Sequence, residues 1–382
     1  MKVFKVIFSF LLTIILCALG FVAGVAVDIF YLNKFETETY VTFNDSWVTD
    51  SVITDSDLSI HFVEPGNKYA GDCIYIKCGE NDILIDAGSR KGSAATIIEY
   101  VDNYVTDNTL EYVIATHEDQ DHIAGFVGLS NGEGIFDHYE VETIIDFPMY
   151  TSNVNDQTQV LQQYFVARDT EVNAGAAHYT ALECYNNENG AQRVYQLSEK
   201  VELEILYNYY YEHTSSDENE YSVCVMLNEG SNHYLLTGDL EGDGERKLVT
   251  YYEQNHGGLP DCVLFKGGHH GSYSSTTPEL MAAITPDIIC VCCCAGYNEY
   301  HAADENIFPS QNFINNVAPH TDKVYVTNVV DETAEGGYKN MNGNIVCYSY
   351  NGIVGIRCSN NSTVLKDTDW FKENRICPDE WK

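Results

Sequence analysis

The chain has 382 residues, 45% of them hydrophobic and 12% aromatic, enough to bury a sizeable core in one large domain or two smaller ones. Its 57 acidic and 20 basic residues give a formal charge of −37, which repels nucleic acid and anionic membrane at long range and excludes a basic nucleic-acid-binding surface. A polyanionic substrate would have to be held by metal ions instead.

Lys2 and Lys5 precede an apolar run over 6–26, which fits a bilayer crossing of about 20 residues. Acidic residues dominate after it (Asp28, Glu36, Glu38), so the N-terminus is expected inside and the rest of the chain outside. Residues 1–29 are read as a signal anchor, which makes the protein single-pass at the cell membrane. The alternative is a cleaved signal peptide ending near Gly24-Val25-Ala26, which makes it secreted. Cys17 lacks the preceding small residue of a lipoprotein site. Residues 30–57 carry no periodicity and are expected to form a stalk or lead-in.

The globular part is expected over 58–358. It opens with the alternating strand Leu58-Ser59-Ile60-His61-Phe62-Val63, then Cys73-Ile74-Tyr75-Ile76 and Ile83-Leu84-Ile85, spaced as an antiparallel meander. Residues 93–104 have Ala94, Ile97, Ile98 and Val101 at helical spacing. The β-branched run Tyr112-Val113-Ile114-Ala115 is read as a buried strand. It delivers Thr116-His117-Glu118-Asp119-Gln120-Asp121-His122, two imidazoles and alternate carboxylates on one loop. Imidazole nitrogen with carboxylate oxygen suits Zn²⁺, Mn²⁺ or Fe²⁺. A helix is expected from 123, a strand over 141–146 and a short helix over 157–165. The segment 147–200 is too short for an independent domain and is expected to shape the substrate side.

Further on, Tyr207, Tyr209, Tyr210 and Tyr211 are either packing or a wall or cage for a cationic headgroup. The strand Leu235-Leu236 leads to Thr237-Gly238-Asp239, and Val263-Leu264-Phe265-Lys266 leads to Gly267-Gly268-His269-His270-Gly271-Ser272. Four of the thirteen cysteines sit in the apolar run 288–295 and are read as small buried hydrophobes in a strand. Few or no disulfides are expected, with Cys73 and Cys78 as the one candidate pair. Strands are expected over 323–327, 345–350 and 353–357, the last two joined by Asn351-Gly352, a hairpin signal. Residues 359–382 form a C-terminal tail.

The order Ile60-His61-Phe62-Val63, Gly71-Asp72, Leu84-Ile85-Asp86-Ala87-Gly88, His117-x-Asp119-x-Asp121-His122, Thr237-Gly238-Asp239 and His269-His270-Gly271-Ser272 resembles that of metallo-β-lactamase-fold hydrolases. Within them it is most similar to the soluble hydrolase domain of ComEC-type competence DNA-uptake proteins. Asp119 stands where the common superfamily motif has histidine, which is the ComEC-like form and points away from true β-lactamases. The resemblance implies a four-layer αββα sandwich with its metal site at one edge of the sheets.

Hydrolysis of a phosphoester needs a hydroxide at neutral pH and positive charge against the developing oxyanion, and one or two bound metals supply both. His117 and Asp119 can reach one metal, and Asp121 and His122 a second beside it. By the resemblance, Asp239 bridges the two, and His269 or His270 completes the second site. The expected cofactor is one or two zinc ions, or manganese. Asp121 and His301 are the candidate catalytic residues, His301 for leaving-group protonation or substrate contact, in a family-like segment where Ala302 replaces the usual proline.

Asp86 is expected to orient the His117 loop by hydrogen bonding without itself ligating a metal. Ser272 and Ser275 either donate to a phosphate or cap the helix beginning near Thr277. The first metal lacks a third protein ligand, and His178 and His213, the histidines in the usual interval, are read as structural. The expected activity is an exported metal-dependent phosphodiesterase or nuclease acting on DNA or wall polymer. A cell-surface phosphocholine or wall-polymer esterase and a non-catalytic metal-binding sensor module are the alternatives.

Overall fold

The computed structural model describes residues 50–130, 132–151, 159–299 and 306–382. The expected anchor over 1–29, most of the lead-in, and His301 lie outside the described residues. Among the described residues, no helix is long and apolar enough to cross a membrane.

Among the described residues, the strands form two eight-stranded sheets. The first contains β1 (Leu58–Phe62), β2 (Ile74–Cys78), β3 (Asn81–Ile85), β4 (Thr109–Ile114), β5 (Glu140–Asp146) and β6 (Ala177–Thr180). The second contains β7 (Val194–Gln196), β8 (Val201–Ile205), β9 (Val225–Glu229), β10 (Asn232–Leu236), β11 (Leu264–Lys266), β12 (Ile288–Ala295), β13 (Val324–Val330) and β14 (Tyr338–Asn340). The hairpin β15 (Ile345–Tyr350) and β16 (Ile353–Cys358) returns to the first sheet, with β15 pairing antiparallel to β1. The orders are β16-β15-β1-β2-β3-β4-β5-β6 and β14-β13-β12-β11-β10-β9-β8-β7. The segment 147–200 is not a separate unit: β6 extends one sheet and β7 the other.

The first sheet is antiparallel on one side and parallel on the other, and the second has a parallel centre flanked by antiparallel strands on both sides. The meander β1-β2-β3 is antiparallel, whereas β3 to β6 and β10 to β13 pair in parallel. Parallel strands covered on both faces should be apolar throughout, and every residue of β12, Ile-Ile-Cys-Val-Cys-Cys-Cys-Ala, is buried. The cysteines serve there as small hydrophobes. All cysteines among the described residues are free thiols, so the Cys73–Cys78 pair does not form.

One core lies between the sheets, where Ile60, Ile76 and Ile83 meet Leu203, Leu227, Leu236 and Cys290. It continues under α1 (Ser93–Val101), α2 (Gln120–Val127) and α3 (Gln159–Ala174) through Ile97, Ile123, Phe126, Leu161 and Tyr164. A second core joins the other face of the β10–β12 sheet to α4 (Gly242–His256), α5 (Pro278–Ile284) and α6 (Gln311–Val317) through Phe265, Ile289, Leu248, Met281 and Phe313. Helices on the outside and two sheets within make the four layers. The C-terminal tail closes on the second core, where Leu365, Phe371 and Trp381 are buried.

The packing of α2 fixes the loop before it. Gly125 N donates to Ala87 O at 2.8 Å, and a methyl group on Gly125 would run into that carbonyl. Gly125→Ala should therefore destabilise the fold by about 1–3 kcal/mol, the usual range for overpacking a tight contact. Thermal denaturation should show a midpoint several degrees below that of the parent protein; an unchanged midpoint would mean the helix has room to shift.

Candidate metal centre

Parallel strands carry their loops to one rim, outside the carboxyl ends of the strands. Asp86 follows β3, the stretch 116–122 follows β4, Asp239 follows β10, and the two histidines follow β11. Asp72 joins them from the loop between β1 and β2, because its N–H donates to Asp121 O at 3.1 Å.

Four side chains converge. One ligand atom each from Asp121, His122, Asp239 and His270 lie within 4.8 Å of one another. Asp239 Oδ2 is 3.1 Å from His122 Nε2 and 3.0 Å from His270 Nε2, and Asp121 Oδ2 is 3.5 Å from His270 Nε2. His117 stands beside them, its ring centroid 4.1 Å from that of His122, with Asp119 Oδ2 3.7 Å from its Nε2. The buried Nε2 atoms of His117, His122 and His270 make no hydrogen bond. Imidazole nitrogens left without partners amid carboxylates are what a cation site presents, and this donor set fits Zn²⁺ or Mn²⁺.

The other imidazole nitrogens are anchored. Asp86 Oδ1 accepts from Thr116 N at 2.8 Å, and its Oδ2 accepts from Thr116 Oγ1 at 2.8 Å and lies 2.7 Å from His122 Nδ1. His270 Nδ1 donates to Cys292 O at 3.0 Å. That carbonyl is available because the β12–β13 register shifts between Val291 and Cys294, a bulge at which Thr327 Oγ1 takes over the pairing of Cys293. Asp86, His269 and His270 have φ of 60°, 43° and 54°, the left-handed region that non-glycine residues seldom occupy. Gly238 is required where it stands: at φ 54° it brings the Asp239 turn against Thr116 and Ser222, whose side chains a Cβ would meet at 3.0–3.1 Å.

Beneath the cluster lies a cation that sequence reasoning missed. Lys266 Nζ is fully buried, 2.6 Å from Asp72 Oδ2 and 2.9 Å from Asp239 Oδ1, and donates to Gly238 O at 2.8 Å. A single lysine closing the apolar run before Gly267-Gly268 was the available signal. Burial pushes the Asp239 carboxyl up, but His270, Lys266 and His122 outweigh it and hold it well below the carboxylate range. Burial pulls His122 down, and the carboxylates of Asp239 and Asp86 lift it well above the ordinary imidazole value. His270 is lifted likewise by Asp239 and Asp72 against the pull of burial.

The remaining candidates separate. His269 is not in the converging four; its Nε2 is 3.8 Å from Asp239 Oδ2 and its Nδ1 3.2 Å from Glu241 Oε1. Ser275 Oγ donates to Gly268 O at 2.7 Å and braces the histidine turn, and Ser272 Oγ pairs with Ser274 Oγ at 3.0 Å. Neither caps the following helix, because Thr277 accepts from Leu280 N. His178 is held on Asp146 at 2.9 Å in the edge strand β6, and His213 stacks on Tyr209 at 3.8 Å. Lys247 lies 4.4 Å from the ring centroids of both Tyr209 and Tyr210, so the protein's own cation fills the tyrosine cage.

Beside Asp121 the loop 68–72 forms an aromatic and basic rim. Arg90 stacks on Tyr69 at 4.1 Å, Lys68 lies 5.0 Å from the Tyr297 ring, and Tyr69 meets Tyr297 edge-on at 5.4 Å. Glu299, hydrogen-bonded to Ala70 N at 2.7 Å, sits within the fields of His270, Asp121 and Arg90, and burial pushes its carboxyl up to about 7. The net charge concealed this rim, since composition does not reveal where cations gather.

Residues 66–162 match the metallo-beta-lactamase superfamily model. Over that stretch, which carries Asp72, Asp86 and the loop 116–122, the chain resembles metallo-β-lactamase-fold hydrolases. It resembles ComE operon protein 3 of Bacillus subtilis (strain 168), with 28% identity over 240 residues, 63% of this chain and 26% of that protein. Recombination protein 2 of Haemophilus influenzae matches at 31% over 71 residues, 19% of this chain and 8% of that one. The matches thus span about a quarter or less of these relatives' own length. Among solved structures, the metallo-beta-lactamase fold protein YhfI of Bacillus subtilis aligns at 10% identity and a TM-score of 0.37, covering 72% of this chain and 96% of that one. The short form of human tRNase Z aligns at 13% and 0.32, covering 62% and 92%.

Two substitutions test the support of the site. Asp86→Ala removes the acceptor for Thr116 and His122 and should weaken metal binding about 10–100-fold by titration calorimetry. Lys266→Met leaves Asp72 and Asp239 buried without their cation, which should cost the metal-free protein about 3–5 kcal/mol, with a bound divalent ion recovering part of the loss. Equal melting of parent and variant without metal would contradict that role for Lys266.

Proposed function

We propose that the protein is a metal-dependent phosphoesterase, acting first of all on phosphodiesters. The observation that carries this reading is the convergence of Asp121, His122, Asp239 and His270, with partnerless imidazole nitrogens facing carboxylates. Zinc or manganese bound there would supply a nucleophile at neutral pH and positive charge for the developing oxyanion. The donor set is rich in carboxylate, through Asp119, Asp121 and Asp239, which suits harder, oxygen-preferring cations of the kind that bind phosphate oxygens.

The chain's own residues support the same substrate class. Arg90 presents a planar guanidinium at the rim, and Lys68 a second cation, so a phosphate anion can be met beside the site despite the acidic surface around it. Tyr69 and Tyr297 add aromatic faces on which a flat leaving group or base can rest. Lys247 already occupies the tyrosine cluster that a quaternary ammonium headgroup would need, which favours a phosphodiester over a phosphocholine ester.

Export through the N-terminal segment belongs to this proposal and rests on the apolar run over 6–26 and the charges flanking it. In intact cells, a C-terminal epitope should be cleaved by added protease; protection until lysis would refute the outward orientation.

Hydrolysis of bis-p-nitrophenyl phosphate should require Zn²⁺ or Mn²⁺ and stop on dialysis against a chelator. Asp121→Ala or Asp239→Ala should lower kcat by at least about 100-fold, on the scale of losing one electrostatic contact to the transition state. Arg90→Ala should raise KM more than it lowers kcat. Full turnover in the two aspartate variants would end the assignment.

A further inference from the structure

The C-terminal tail walls a second concave site. It is tied down at two places: Asn342 Oδ1 accepts from Thr363 N at 2.9 Å, and Gln311 Oε1 accepts from Ile376 N at 2.8 Å. Arg375 Nε and Nη2 add bonds to the carbonyls of Pro309 and Ile307 at 2.9 and 2.7 Å. Between these ties the tail helix Asp369–Asn374 buries Phe371 in the second core. Between that helix and the strands β13 and β14 lies a groove of about 1420 Å³. A site for one small molecule takes roughly 300–1,000 Å³, so this one has room for an extended ligand. Tyr273 also lines it, 47% exposed and close after the turn that carries His269 and His270.

The lining selects by charge and by hydrogen bonding. Its described charged residues are Asp367, Asp369 and Glu373 against Lys339 and Arg375, three negative and two positive, so one net negative on a chain of −37. Both cations are engaged, Lys339 with Asp331 at 3.2 Å and Arg375 with the two carbonyls and, at 4.8 Å, the Trp370 ring. The groove thus offers little to a polyanion, and its near balance gives no strong pull on a polycation. Neutral amides supply the rest: Asn312, Asn361 and Asn374 donate Nδ2 to the carbonyls of Tyr273, Met341 and Trp370 at 2.8, 3.0 and 2.8 Å. An amide anchored through its nitrogen carries its oxygen on the other fork, as an acceptor with two lone pairs. Trp370 and Tyr273 add aromatic rings against which apolar C–H surface can lie. Gly296 gives the indole its place, since a methyl group there would run into Trp370 Nε1.

We propose that this groove binds a neutral oligosaccharide chain, several sugar units long, beside the metal centre. Sugars combine apolar C–H faces with dense hydroxyl donors, which match the aromatic rings and the amide oxygens, and they bring no charge for the groove to balance. The proposal goes beyond the phosphoesterase reading and does not depend on it, because Asn361, Trp370 and Asn374 lie outside the converging metal-binding group.

The test is isothermal titration of the purified full chain with cellohexaose, maltohexaose, mannohexaose and chitohexaose, with hexalysine and oligoadenylate as charged controls. At least one of the neutral sugars should bind, at a single site per chain. Tyr273→Ala, Asn361→Ala and Trp370→Ala should each weaken that binding about tenfold, the scale of losing one ring contact or hydrogen bond. Tyr273 and Asn361 are exposed, so a loss in those two variants does not come from a damaged core. Asn361→Ala should hydrolyse bis-p-nitrophenyl phosphate as the parent does. Sugar binding should survive dialysis against a chelator, and sugar binding by a protein without any hydrolytic activity would end the phosphoesterase reading alone. No binding of any of these sugars at millimolar concentration, unchanged affinity in all three variants, or binding of hexalysine or oligoadenylate in their place would overturn the proposal.

Discussion

One carboxylate carries the rim of this molecule. Asp239 gives Oδ1 to the buried Lys266 and turns Oδ2 toward His122 and His270. Lys266 also reaches Asp72, which arrives from the other sheet, so a lysine between two aspartates ties the layers together at the edge where the site lies. A buried charge that loses its partner is far more costly than a surface pair. The same constraint shapes function: with one oxygen held by Lys266, Asp239 has a single oxygen to present to cations.

The neighbourhood is built of conformations that folding alone would avoid. Asp86, His269 and His270 occupy the left-handed region, β12 carries a bulge that frees the Cys292 carbonyl, and Gly238 permits a backbone approach that a side chain would block. Each is held by hydrogen bonds from outside the site, among them Ser275 Oγ to Gly268 O and Thr116 N to Asp86. Local rules broken together at one edge, with compensation supplied around them, mark a site under constraint for function. The antiparallel meander and the apolar parallel strands supply the rigid support.

The layers were legible because periodicity and β-branched runs report burial directly, and the strands around Ile60, Ile85, Ile114 and Leu236 stand where their patterns put them. The helix expected over 157–165 extends as Gln159–Ala174 and stops at Gly175, because the polar residues beyond Phe165 conceal continued helix from an apolar count. The roles of His269 and His270 were not legible, since a sequence does not state the sign of φ. Lys266 was hidden for another reason: its partners, Asp72 and Asp239, are remote in the chain and meet only when the sheets pack. Ser275 resembled a cap by position, whereas Thr277 is the residue whose side chain reaches the helix.

On the proposed function, Asp121, His122, Asp239 and His270 together hold a divalent cation. Anomalous scattering from crystals soaked in Mn²⁺ tests it most directly. A peak should lie within about 2.0–2.4 Å of an Asp121 oxygen, His122 Nε2, Asp239 Oδ2 and His270 Nε2. No peak there under saturating Mn²⁺, with these side chains arranged as described, would contradict the account.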